Sequence, residues 1–207
     1  MSGLARDKYM PLVDRDSGDR TYPIWLLINP KYPAVINGIW RHVLDEMQDK
    51  VYRELQSRID TKNIYIRSVV GDCGIVPNTL NWWGKEVASE IKILREIIEE
   101  YEPKILITFG GFPYEFIRRV FSAKPEKGPK YWSALNLKNE FEKAIANFDL
   151  SQTNVVPLLR RVNTSDKDQE AQKYLDSTIK EQYFSHVGRK LSETIIQNKD
   201  SLEIWIR

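Results

Sequence analysis

The chain has 207 residues, enough for one domain with a sizeable core, since 42% of its residues are hydrophobic. Its 31 Lys and Arg nearly balance 29 Asp and Glu, so a bulk field does not attract a polyanion and nucleic-acid contact requires a local basic patch. The single cysteine, Cys73, excludes an internal disulfide and a thiolate cluster, and the two histidines exclude a His-rich metal centre.

The segment Met1 to Arg20 is polar, interrupted by Gly3, Pro11 and Gly18, and has no apolar core of signal-peptide type. No run approaches the roughly 20 apolar residues of a membrane span. The expectation is a reducing, cytoplasmic setting and no membrane partner, with residues 1–20 as an extension to a single domain covering 1–207.

Tyr22 to Ile28 is the first of four short apolar runs without polar alternation, the pattern of strands buried on both faces. It breaks into Asn29-Pro30, and Tyr32 and Pro33 follow. Ile36, Trp40, Val43, Met47, Val51 and Leu55 then recur at three and four residues, the stripe of a long core-facing helix. Asn63 to Val70 is the second strand. Val87, Ile91, Leu94, Ile98 and Tyr101 mark a second helix, which Pro103 closes before the third strand, Lys104 to Phe109. Helical crossovers of this kind make neighbouring strands parallel.

Gly110-Gly111 is a tight turn into a helix from Phe112 to about Phe121, with Pro113 tolerated in its first turn. A loop rich in Lys and Pro, Ser122 to Trp132, leads to a helix carrying Leu137, Phe141, Ala144 or Ile145, and Phe148. Asn154 to Leu159 is the fourth strand. Residues 160–182 read as an insertion, of which Asn163 to Lys173 is a mobile stretch or a short exposed helix. Tyr183 to Ile196 resumes an apolar pattern, and Leu202 to Ile206 fits an edge strand. The predicted fold is a three-layer αβα sandwich around a central four-stranded, mainly parallel sheet.

In such sheets ligands sit outside the carboxyl ends of the strands, which singles out several residues. Asn29 either positions a nucleophilic water through its amide or caps the turn before Pro30. His186, beside Ser185, Gly188, Arg189 and Lys190 and read as a loop residue, either donates to a carbonyl or leaving group or is a surface residue. In the loop after strand two, Asp72 and Asn78 can read the edge of a small molecule, and Trp82 or Trp83 can stack on a ring or pack beneath the next helix. Cys73 has no neighbouring base. Arg118, Arg119, Lys124, Lys127, Lys130, Arg160, Arg161, Arg189 and Lys190 form a phosphate-tracking groove if gathered at the carboxyl rim, and ordinary solubilising charge if scattered.

In order and spacing, residues from Tyr22 to Thr194 resemble the uracil-DNA glycosylase superfamily. Ile28-Asn29-Pro30 is similar to the first motif of the mismatch-specific branch. Ile64 to Val70, Cys73, Pro77-Asn78, a helix and Pro103-Lys104-Ile105-Leu106-Ile107-Thr108-Phe109-Gly110 follow the order of the iron–sulfur branch. The cluster cysteines of that branch are missing. The second motif corresponds either to Ser185-His186 or to Arg160-Arg161-Val162-Asn163.

The resemblance implies hydrolysis of the N-glycosidic bond of uracil or a related damaged base flipped out of single- or double-stranded DNA. It gives Asn29 the water and His186 the leaving base. Tyr32, Asp72, Asn78, Gly110, Ser185 and Arg189 would bind substrate, and no metal or organic cofactor is required. Two other readings stand beside it. One is a nucleic-acid or base-binding module of the same fold without catalysis. The other is an unrelated nucleotide-binding α/β domain holding a phosphate at Gly110-Gly111.

Overall fold

The computed structural model describes residues 16–71, 84–162 and 169–206, the side chains of 169–177 excepted. The strands are β1 (Asp16–Ser17), β2 (Ile24–Ile28), β3 (Tyr65–Ser68), β4 (Ile105–Phe109) and β5 (Asn154–Leu158). They form one sheet in the order β1-β3-β2-β4-β5. The pairs from β3 to β5 are parallel, and β1 joins the β3 edge antiparallel. The sheet is therefore five-stranded rather than four-stranded. β1 escapes a hydrophobic reading because its two residues are polar and its place is set by backbone pairing with Ile66 and Arg67.

Two of the four apolar runs become fully buried strands, β2 and β4, whereas β3 leaves Ile66 and Ser68, and β5 leaves Val155, partly exposed. The side chains of β2 and β4 alternate between two cores. Leu26, Ile28, Ile107 and Phe109 join one core, whereas Trp25, Leu27 and Leu106 join the other. On the first face lie α1 (Arg41–Leu55), α4 (Ala134–Ala146) and α5 (Gln169–Gln197). α2 (Lys85–Tyr101) and α3 (Gly111–Val120) cover the second. The result is an αβα sandwich. The helical stripes read from the sequence are the buried faces: Val43, Met47 and Val51 on α1, and Val87, Leu94 and Ile98 on α2.

Two expectations near the carboxyl terminus are corrected. Leu202 to Ile206 makes only an isolated bridge, Ile59 to Trp205, instead of an edge strand. Tyr183 to Ile196 does not start an element of its own but continues a helix that runs from Gln169 to Gln197. Its buried residues Tyr183, Val187, Leu191 and Ile195 recur every four positions along α1, where Phe184 stacks on His42 at 4.9 Å. Gly188 permits that approach, because a Cβ there would lie 2.5 Å from Glu46 Cβ.

β5 is an edge strand whose open side is blunted. Asn154 N–H donates to Lys104 O and Gly110 N–H donates to Leu158 O, so the alternate residues 155, 157 and 159 face outward. Pro157 has no N–H, and the Leu159 N–H is taken by the Tyr183 hydroxyl at 2.8 Å. The carboxyl end of β5 therefore presents no free outward N–H to a further strand.

Candidate functional site

The chain leaves β2 toward β3 on one side and later returns to β4 on the other, so the strand order reverses between β2 and β4. Ligands of open α/β sheets bind at such a reversal, and here its carboxyl rim is built by Asn29, Tyr32, Gly110 and Arg160.

Asn29 follows β2 directly and is 4% exposed. Its Oδ1 accepts the Lys31 N–H at 2.9 Å, and its backbone carbonyl accepts the Tyr32 N–H at 2.9 Å. This is the turn-capping arrangement that Asn favours before Pro. The oxygen retains a second lone pair, and Nδ2 has no hydrogen-bond partner among the described residues. The turn then enters a π-helical stretch, Ile36–Trp40, that leads into α1.

Gly110 ends β4 with φ +85° and ψ 179°, a conformation essentially restricted to glycine. Its missing side chain admits Arg160, whose Cβ would be 3.0 Å from a Cβ at this position. The Arg160 guanidinium crosses the rim from β5 and lies 3.9 Å from the centroid of the Tyr32 ring, and Lys31 Nζ approaches the same ring at 5.9 Å. Loops after β2, β4 and β5 thus meet at one cationic and aromatic point. No described acidic side chain pairs with Arg160 or Arg161 within salt-bridge distance.

Beside it opens a cleft of 560 Å³ lined by Gly110, Phe112, Pro129, Trp132, Arg160 and Arg161, among others. The wall from Lys127 to Trp132 is held by one carboxylate. Glu115, fully buried on α3, accepts at Oε1 from Lys127 N–H at 2.7 Å and Arg119 Nε at 3.1 Å. Its Oε2 accepts from Trp132 Nε1 at 2.8 Å and Arg118 Nη1 at 3.1 Å. Arg118 and Arg119 are therefore turned inward as structural partners, and Lys124 pairs with Glu126 at 2.6 Å, which holds that carboxyl below its usual range. Tyr114 closes the back of the wall, edge-on to Trp132 at 4.7 Å. Burial, ahead of the Glu140 carboxylate that accepts its hydrogen bond, raises the Tyr114 phenol above its ordinary value.

His186 is not a loop residue. It lies in α5 with Ser185 and Arg189, which are both exposed. The polar letters Ser-His-Gly-Arg obscured a helix whose apolar stripe continues on the neighbouring positions. His186 Nε2 is hydrogen-bonded to Glu142 Oε1 at 2.5 Å, and its ring lies 6.2 Å from that of Phe141. Ala134, at the start of α4, lines the rim cleft. Glu142 is eight residues further, about 12 Å down the helix at 1.5 Å per residue. The pair lines a second cleft, between α4 and α5, which adjoins the rim cleft through Leu137 and Leu159. The structure therefore brings Asn29, Tyr32 and Gly110 to one rim and leaves His186, Ser185 and Arg189 on a helix flank.

Of Arg160-Arg161, the other choice for the second motif, Arg160 stands just after β5 against Tyr32 and Gly110, and Arg161 lines the rim cleft. Asn163, Asp72, Cys73, Asn78, Trp82 and Trp83 lie outside the described residues. Glu115 and Trp132 were missed in the sequence. A lone acid in the middle of an apolar helix, three and four residues before two arginines, was the available signal for Glu115.

Among the described residues there is no group of three or more His, Cys, Asp and Glu able to hold a metal, and no helix is long and apolar enough to cross a membrane. No protein-family model matches this chain, and no curated protein matches it.

Proposed function

We propose that the rim cleft binds nucleic acid, taking a base together with its flanking phosphates, in a uracil-DNA-glycosylase-like fold. The observation that carries this reading is the meeting of Arg160 with Tyr32 over Gly110 at the strand reversal. A guanidinium free of acidic partners offers bidentate contacts to a phosphate. The neighbouring ring offers a stacking platform, and the Asn29 amide offers a donor to a base edge or a water. Binding without excision takes precedence because the Asn29 oxygen already closes a turn and His186, bonded to Glu142, is not among the residues lining the rim cleft.

Excision of uracil or a related damaged base is the second reading, favoured by one feature: Asn29 keeps an uncommitted amide nitrogen and a lone pair at the end of β2. In that reaction the oxygen of water bonds to the sugar C1′ while the bond to the base nitrogen breaks, the electron pair leaves with the base, and the proton released by the water ends on the departed base. Arg160, not His186, is the group placed to stabilise the departing anion.

Fluorescence anisotropy with labelled single- and double-stranded oligonucleotides, plain or carrying uracil or hypoxanthine, tests the binding reading. Binding should weaken with salt, and Arg160→Ala should lower affinity and flatten the salt slope by about one unit. Absence of binding at low salt would overturn it. Single-turnover alkaline strand cleavage on the same oligonucleotides tests excision: abasic sites formed by the native chain and lost in Asn29→Ala would establish it, and none formed would leave binding alone.

A further inference from the structure

Arg67 sits on β3 opposite Asp16 of β1 and shares the α2-covered face of the sheet with Tyr65, two residues earlier. Its side chain is only 9% exposed. Asp16 holds Arg20 at 2.8 Å and reaches Arg67 only at 3.9 Å, through Nε, which is too long for a hydrogen bond. No other acceptor bonds the guanidinium among the described residues. Burying that charge with its donors unused is unfavourable, so the position calls for an acceptor from outside the chain.

The guanidinium lines a cleft of 430 Å³, within the size range of small-molecule sites. Asp16, Ser68 and Glu90 are its other polar side chains, and Val70 and Ile93 give it an apolar wall. None of these residues lines the rim cleft or the cleft between α4 and α5. The Gly71 N–H donates to Glu90 Oε2 at 2.7 Å, which fixes the carboxylate at the cleft. Glu90 Oε1 and the Ser68 hydroxyl keep no hydrogen-bond partner among the described residues.

Arg20 and Arg67 balance Asp16 and Glu90, so the cluster as a whole favours neither sign of charge. A simple anion at Arg67 would also face the Glu90 carboxylate. A simple cation at Glu90 would leave Arg67 unanswered. The complementary occupant carries both charges on one small frame.

We propose that this cleft binds a free α-amino acid with an aliphatic side chain. Its carboxylate takes the Arg67 guanidinium, the strongest pairing open to an unbonded arginine. Its ammonium lies at Glu90 Oε1 and the Ser68 hydroxyl, and its side chain lies against Val70 and Ile93, the latter 41% exposed without an occupant. The site does not rest on the nucleic-acid reading of the rim cleft.

Isothermal titration of the full chain tests the proposal with L-leucine, with isocaproate, which lacks the ammonium, and with isoamylamine, which lacks the carboxylate. Leucine should saturate at one equivalent and bind about tenfold or more tightly than either half. Arg67→Met should weaken leucine by about tenfold or more without lowering the ligand-free Tm, since the guanidinium makes no hydrogen bond within the described chain. Glu90→Gln, whose amide oxygen can still accept from Gly71, should weaken leucine by about five- to tenfold and strengthen isocaproate. Absence of saturable leucine binding overturns the proposal. Leucine bound no better than isocaproate, affinity unchanged in either variant, or a lower ligand-free Tm in Arg67→Met overturns it equally.

Discussion

Glu115→Ala should be the most damaging single substitution near the rim cleft. The side chain is fully buried and accepts four hydrogen bonds, two from arginines, one from the Lys127 backbone and one from the Trp132 indole. Truncation leaves Arg119, itself only 8% exposed, without its main counter-charge. Breaking one side of a buried ion pair costs about 3–5 kcal/mol, against a total stability of about 5–15 kcal/mol. For a chain of this size that corresponds to a fall in Tm of roughly 6–20 °C.

Glu115→Gln separates shape from chemistry in the same cluster. The amide must direct its NH₂ either at Trp132 and Arg118 or at Lys127 and Arg119, donor against donor, for about 1–3 kcal/mol. Urea unfolding followed by far-UV circular dichroism measures both variants, with Cm falling at constant m. A double-mutant cycle with Trp132→Phe should return a coupling of about 0.5–3 kcal/mol. A loss below about 1 kcal/mol in Glu115→Ala, or no coupling to Trp132, would refute the assignment of the cluster as the brace of the cleft wall.

Gly110→Ala forces a Cβ into a glycine-only conformation and against Arg160, at a cost of about 1–3 kcal/mol. Thermal unfolding should register the loss and oligonucleotide anisotropy a weakened complex; an unchanged Tm would refute the strain argument. Thr108→Val, in contrast, should stabilise. The Thr108 Oγ1 is fully buried with no hydrogen-bond partner among the described residues, and a methyl of similar shape removes a penalty of about 1 kcal/mol or more. A lower Tm would show that the hydroxyl is satisfied. At alkaline pH, burial raises the phenols of Tyr22, Tyr114 and Tyr183 above the ordinary value and pushes Tyr65 up to about 12. The folded state thus holds these protons more tightly than the unfolded chain, whose phenols titrate near 10. The stability they contribute is full below about pH 10 and is lost as pH rises through the folded values. Tyrosinate absorbance should rise in two waves, the second coinciding with unfolding; a single wave near pH 10 in the folded protein would contradict this burial.

The local elements were legible because they depend on local patterning. Continuous apolar runs such as Trp25 to Ile28 and Ile105 to Phe109 had to be buried on both faces, and the three-and-four spacing of α1 and α2 had to place one stripe against a sheet. Asn29 before Pro30, and glycine at the end of β4, were readable as turn residues at strand ends for the same reason. Strand order was not readable, because pairing of β2 with both β3 and β4 joins residues far apart in the chain and leaves no local trace. β1 exists only because two polar residues find the open edge of β3.

The site divided along the same line. The carboxyl rim as the place to look followed from the strand-and-helix alternation, whereas the residues that meet there required the register that brings Arg160, after β5, over Tyr32 from the β2 loop. His186 was misread as a loop residue because side-chain chemistry alone does not say whether the backbone beneath it is helical. The packing of α5 along α1, through Phe184, Gly188 and Leu191, placed it instead on a helix flank against Glu142. Glu115 carries the same lesson: its residue type predicts a solvated surface, and it takes the Lys127 N–H and the Trp132 indole from a distant loop, together with Arg118 and Arg119 of its own helix, to make a buried carboxylate stable there.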